Sequence, residues 1–286
     1  MTSGDMAFVW RAAERDLTTY DLDRPAMARL WAFWGEGKDY NPADRALGEE
    51  VMARFPQMPS LARHRLAFRA RVVRALVGEY GIDQVLVAGV DMPLVDEVHT
   101  IAQSINPHAR VVYADADELA MLYAEAFFSS GLTGACGYVQ AGLDDPRAVL
   151  DGAAETLDLD RPVAVLLINS LEVLGDPQAA AAVSAFRTTL AAGSHIAICH
   201  LTAEHDRGLA VLGSMCAEAS PGSPCVRAPA GLGALFTGMA MIPPGLVSAP
   251  DWRPDPGPWP VPIGVDLWCG VGRIYGPRPE RGPRWM

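Results

Sequence analysis

Five short runs of aliphatic and β-branched residues, separated by stretches with helical periodicity, constrain this chain more than any other feature. They are QVLVAGV (84–90), ARVVYAD (109–115), CGYVQAG (136–142), PVAVLLIN (162–169) and SHIAICHL (194–201). Helix-like segments lie between them at 95–105, 117–130, 146–156 and 177–192. Strands this apolar are covered on both faces, as in a parallel sheet sandwiched by helices. Ahead of them, 26–34, 42–55 and 60–80 carry apolar residues at three- and four-residue steps, broken by Gly35, Gly37, Pro56 and Pro59. The pattern predicts a helical cap over residues 1–80 and one compact, doubly wound α/β domain over 81–286, without repeats or a separating linker. Past the fifth run, a helical stretch near 207–219 leads into the loop SPGSPC (220–225) and the proline-rich APDWRPDPGPWPVP (249–262). VDLWCGVGRIYG (265–276) reads as a terminal strand pair or edge strands.

The 286 residues suffice for a full hydrophobic core, and 23 basic against 34 acidic residues give a net charge of −11, the wrong sign for a general nucleic-acid binder. Cys136, Cys199, Cys216, Cys225 and Cys269 are odd in number and widely spaced, which points to reduced, buried thiols rather than disulfides or a metal cluster. The charged N-terminus lacks a signal-peptide pattern, and no apolar stretch approaches the roughly 20 residues of a membrane span. A cytoplasmic protein without membrane contact is the expectation.

In open α/β sheets ligands sit beyond the carboxyl ends of the strands. That singles out Gly89 to Pro93, Asp115 and Asp117, Gly142 to Asp145, and Asn169 to Glu172. Asp115 lies 26 residues after Gly89, where an acid meets the ribose hydroxyls of a nucleoside-type cofactor. An acid at a strand end also serves as a helix cap, and Asp117 before ELAMLYAEAF is well placed for that.

The segments RPAMARLWAFWGEGKDYNPADR (24–45), MPLVDEVHTIAQSINPHARVVYADAD (92–117), YVQAGLDDPRAVL (138–150), LDRPVAVLLINSLEVLGD (159–176), LAAGSHIAICHLTAE (190–204) and CGVGR (269–273) resemble the bacterial S-adenosyl methyltransferase family, formerly a domain of unknown function. The resemblance implies a class I methyltransferase-like fold, a mostly parallel seven-stranded sheet with its last strand antiparallel and an N-terminal helical cap. It also implies S-adenosylmethionine (SAM) over the first strand ends, held by Gly89 and Asp115, with Asp117 beside them.

The departures from the family pattern are informative. VAGVDMP (87–93) has Val87 for the loop's acid and Asp91 for its second glycine, so a carboxylate stands where the cofactor's own carboxylate is expected. Where the family has an acid for the adenine amino group this chain has Gly142, so the adenine contact is missing unless Asp144 substitutes. Glu36 replaces a glycine in the motif that continues through Lys38 and Asp39, and Glu172 replaces a histidine. Should Asp91, Glu36 and Glu172, with Asp39, line one pocket, they would give surplus negative charge, raised pKa values and affinity for amines.

The expected activity is therefore that of a methyltransferase-fold enzyme of specialised small-molecule biosynthesis that has lost SAM and uses one of these carboxylates as a base for displacement or cyclisation in an amine-containing metabolite. An active SAM-dependent methyltransferase and a silent subunit of a hetero-complex are the alternatives, with a protein partner or homodimer open. Each carboxylate has a structural counter-reading: a helix cap at Asp91, a solvated turn at Glu36, a helix-dipole contact at Glu172, and an ion pair anchoring the cap at Asp39 and Lys38. Trp31 and Trp34 form either core or a pocket lid. His200, like His99, is either pocket or packing, and Trp252, Trp259, Trp268 and Trp285 are either packing or partner surface.

Overall fold

A computed structural model describes residues 22–92, 96–217, 224–256 and 262–276, so Pro93, Trp259 and Trp285 lie outside the described residues. Among the described residues three helices come first: α1 (Met27–Trp34), α2 (Pro42–Arg54) and α3 (Met58–Arg74), the last running into a π turn at Ala75–Glu79. Then β1 (Gln84–Ala88), α4 (Val98–Ile105), β2 (Arg110–Asp115), α5 (Glu118–Phe127), β3 (Ala135–Gln140), α6 (Pro146–Ala153), β4 (Ala164–Ile168), α7 (Asp176–Thr189) and β5 (His195–Leu201) alternate as the apolar runs predict.

The sheet order is β3-β2-β1-β4-β5, all parallel, followed by β8 (Leu267–Arg273) antiparallel to β5. The two-residue strands β6 (Ala240–Met241) and β7 (Val247–Ser248) pair with the far side of β8. The described sheet thus has eight strands, and β8 lies inside it rather than at its edge. Gly270 and Gly272 weaken the strand signal of that segment in the sequence. In the fold they leave room for Phe236, Met239 and Met241, whose atoms come within 2.8–3.1 Å of where a Cβ would stand.

Every residue of β1, β4 and β5 is buried, which is what coverage on both faces requires. Alternation divides the strands between two cores. Val85, Val87, Val111 and Tyr113 join a cluster with Trp31, Trp34, Leu61, Phe68 and Ile101, so the helical preface and the sheet share one core. Leu86, Ala88, Val112 and Ala114 face α6 and α7 with Val149, Val183 and Phe186. The stretch near 207–219 divides into a 3-10 turn at Arg207–Val211, begun by the Asp206 side chain accepting from Gly208 N–H, and α8 (Leu212–Ala217). A further short helix, α9 (Pro229–Leu235), precedes β6.

The preface is anchored by Asp44, whose side chain is fully buried. It accepts from the Arg29 Nε at 2.7 Å, the Asn41 N–H at 2.7 Å and the Ala26 N–H at 2.9 Å. The anchoring ion pair is therefore Arg29–Asp44, whereas Lys38 is exposed and Asp39 half-buried. Cys199, Cys216 and Cys269 are buried free thiols, but Cys136 and Cys225 are only partly covered. No helix among the described residues is long and apolar enough to cross a membrane.

Candidate functional site

The ends of β1, β2 and β4 meet where topology places a ligand. After β1 the chain turns at Gly89, with φ of +101°, and its N–H donates to the Ala114 carbonyl at 2.9 Å. The Asp115 carboxylate accepts from the Val90 N–H at 2.7 Å and the Asp117 N–H at 2.8 Å, fastening the β1 and β2 loops together. Burial pushes the Asp115 carboxyl up to about 6, against those two hydrogen bonds. Asp117 caps α5 by accepting from Leu119 and Ala120 N–H. Asp144 is exposed.

Asp91 follows, and its surroundings overturn the idea of surplus negative charge. One carboxylate oxygen makes a very short contact with Arg65 Nη2, and the other accepts from Arg69 Nη1 at 3.0 Å. Both guanidiniums stand on α3 and are 4–5% exposed, against 9% for Asp91. Arg69 also approaches Glu97 at 3.5 Å, so two buried cations face two carboxylates. Arg65 lies 4.9 Å over the Trp31 ring. Asp91 neither caps α4, whose N-cap is Glu97, nor offers a free carboxylate.

Glu36 is elsewhere. It lies in an exposed turn with φ of +64° and pairs with Arg63 at 3.2 Å, so the three carboxylates do not line one pocket. Its solvated counter-reading holds, because a left-handed turn in GEGKD points the side chain outward.

Glu172 is fully buried in a 3-10 turn, Leu171–Val173, rather than in the first turn of a longer helix. Its Oε1 accepts from Asn169 Nδ2 and Leu201 N–H, both at 2.6 Å, whereas Oε2 has no partner among the described residues. Burial drives this carboxyl up to about 8, with the two hydrogen bonds and the positive charges of Arg65 and Arg227 opposing the rise. Asn169 holds φ of +59° at the end of β4, and its Oδ1 and the Ser170 hydroxyl are also buried without partners. Trp31 Nε1 and the Nε atoms of Arg65 and Arg69 are in the same condition. Buried polar atoms are ordinarily paired, so each of these open donors and acceptors could take a polar ligand group or an ordered water.

His200 cannot serve there. Its Nε2 accepts from Arg227 Nη1 at 2.5 Å and its Nδ1 donates to the Leu201 carbonyl at 2.8 Å, which fixes the neutral tautomer. Burial pushes its pKa down to about 3. His99 is likewise engaged, with Nδ1 2.8 Å from the Tyr113 hydroxyl. Trp34 donates to the Gly48 carbonyl at 3.3 Å and packs edge-on to Trp31 at 5.3 Å, which makes it core rather than lid. Trp252 is fully buried against Phe68, and Trp268 is partly buried in β8.

Sequence reasoning missed Arg65 and Arg69. Leu61, Arg65, Arg69 and Val72 recur at helical spacing along the buried side of α3, so two arginines interrupt an apolar stripe. That interruption signals a buried anionic partner. Among the described residues no group of three or more His, Cys, Asp or Glu is placed to hold a metal ion.

Comparison with known proteins fits this architecture. A profile described as S-adenosyl methyltransferase matches residues 13–275. A DUF574-family protein of Streptomyces avermitilis superposes with a TM-score of 0.83 at 30% identity, over 89% of this chain and 99% of the other. A candidate methyltransferase from Thermobifida fusca gives a TM-score of 0.82 at 30% identity, over 90% of this chain and 97% of the other. A search of proteins with curated functions returned no match.

Proposed function

The chain belongs to the S-adenosyl methyltransferase family, and from that premise we propose that it is a small-molecule enzyme on the methyltransferase fold that works without SAM, with Glu172 as its proton-transfer group. The observation that carries this reading is the ion-paired Asp91 carboxylate in the loop after β1. Of the cofactor's adenosine half only the ribose has a fitting residue, Asp115 at the end of β2, because Gly142 stands at the adenine position and Asp144 is exposed. The amino-acid half does not fit on this reading. The family's second loop glycine is Asp91 here, and its carboxylate meets two buried arginines where the cofactor's carboxylate would come. A second carboxylate beside it would bring like-charge repulsion into a weakly solvated place. No step is therefore routed through SAM.

Glu172 suits proton transfer because burial lifts its pKa to about 8, close to neutral pH, and one oxygen has no partner among the described residues. With an amine-containing substrate, the ionised Glu172 takes a proton from nitrogen. The nitrogen lone pair then forms the new C–N bond within the same molecule, and the carbon–leaving-group bond breaks with its electrons on the departing group. Such general-base assistance is worth about 10² to 10⁴ in rate, and holding nucleophile and leaving group in line supplies the rest. A place in specialised biosynthesis belongs to the same proposal.

A second reading, SAM-dependent methyl transfer, draws support from Gly89 and Asp115. It expects SAM binding that Asp115→Ala weakens. Titration of the folded protein with SAM and S-adenosylhomocysteine separates the two.

A further inference from the structure

The side chain of Asp91 is bound much as a separate anionic ligand would be. Its two oxygens go to two different guanidiniums, each on α3 and each withdrawn from water, while its own chain segment comes from the loop after β1. Planar guanidiniums favour carboxylate through charge-assisted, directional hydrogen bonds. Arg65 is further fixed by lying on the Trp31 ring, and Arg69 by Glu97 and by donating to the Asp96 carbonyl at 3.3 Å. The guanidiniums are thus held by contacts other than Asp91, and the Nε of each has no partner among the described residues.

We propose that Arg65 and Arg69 form a carboxylate-binding site that the chain fills from within by Asp91. Asp91 is then a specificity-determining residue, since its carboxylate shuts out ligands that would present their own carboxylate to the pair. The consequence for the substrate, that it carries no carboxylate at this end, rests on the SAM-independent reading above. The site itself rests on the ion pairs alone.

The experiment removes the internal carboxylate and supplies a free one. Asp91→Gly removes the carboxylate that both buried guanidiniums share and leaves Arg69 its contact with Glu97, which destabilises the fold. Thermal unfolding of wild type, Asp91→Gly and Asp91→Asn is followed in sodium formate and in sodium chloride at equal ionic strength. The midpoint of Asp91→Gly rises by about 3 °C or more when formate replaces chloride at about 0.1 M, as for a ligand roughly tenfold above its dissociation constant. Wild type and Asp91→Asn, whose side chains fill the space, show no such difference. Should Asp91→Gly be recovered only unfolded, refolding yield is read in the same two salts, and higher recovery in formate supports the proposal. Equal behaviour of Asp91→Gly in the two salts, or refolding in neither, overturns it. SAM binding by wild type would overturn the SAM-independent reading and the exclusion of carboxylate ligands, while the formate response still reports on the arginine pair.

Discussion

Gly89 and Ser170 stand so close that a Cβ on Gly89 would lie 2.2 Å from the Ser170 Cβ. The backbone of the loop after β1 therefore lies directly against the Ser170 side chain in the loop after β4. Gly89 also holds φ of +101°, a conformation that side chains rarely adopt. Gly89→Ala combines both penalties and is expected to cost about 2–4 kcal/mol. Ser170→Gly in the same chain removes the steric part, so the double variant recovers part of the loss. Urea unfolding of the two single variants and the double variant checks this. A Gly89→Ala variant as stable as wild type would contradict the packing described.

The stability of the protein should fall on both sides of an optimum. Glu172 has a folded pKa of about 8, above its unfolded value of 4.5, so the folded state holds this proton more tightly. The associated stability is present below about pH 4.5 and is lost as pH rises to about 8, a loss on the order of 5 kcal/mol. His200, driven down to about 3 from 6.5, acts on the acid side. Its neutral buried form costs stability progressively as pH falls below 6.5. Glu172→Gln has no proton to lose, so it should match wild type near pH 4.5 and exceed it by a few kcal/mol at pH 8.5. Denaturant unfolding at the two pH values measures the difference, and an identical pH dependence in both proteins would refute the assignment.

Asp44 ties α1 to α2 from a fully buried position. Asp44→Ala leaves Arg29 uncompensated and two backbone N–H groups without acceptors. The expected loss is about 3–5 kcal/mol. Urea unfolding monitored by tryptophan fluorescence is suited to this, because Trp31 and Trp34 lie on α1. Lys38→Ala, at an exposed position, is expected to change stability by less than about 0.5 kcal/mol.

The order of strands and helices was legible in the sequence because each apolar run alternates between two covered faces. β8 was harder to place, since two glycines dilute its pattern and the residues filling their space come from β6 and the turn that leads into it from α9. The placement of the candidate residues at the strand ends was legible, and their charge environment was not. Asp91, Asp115 and Glu172 were found from topology, yet the partners that decide their behaviour come from α3 and from the backbone of β5. Such partners are distant in sequence, and only the arginines inside the apolar stripe of α3 hinted at them. Glu36 was misplaced because a local turn conformation, invisible to periodicity, decides whether its side chain faces solvent.

The central claim is that Asp91 has closed the cofactor's amino-acid end, and calorimetric titration of the wild-type protein with SAM and S-adenosylhomocysteine tests it most directly. The account predicts no heat of binding up to millimolar ligand from protein shown to be folded. Binding at micromolar concentrations would contradict it and return Gly89 and Asp115 to service as cofactor ligands.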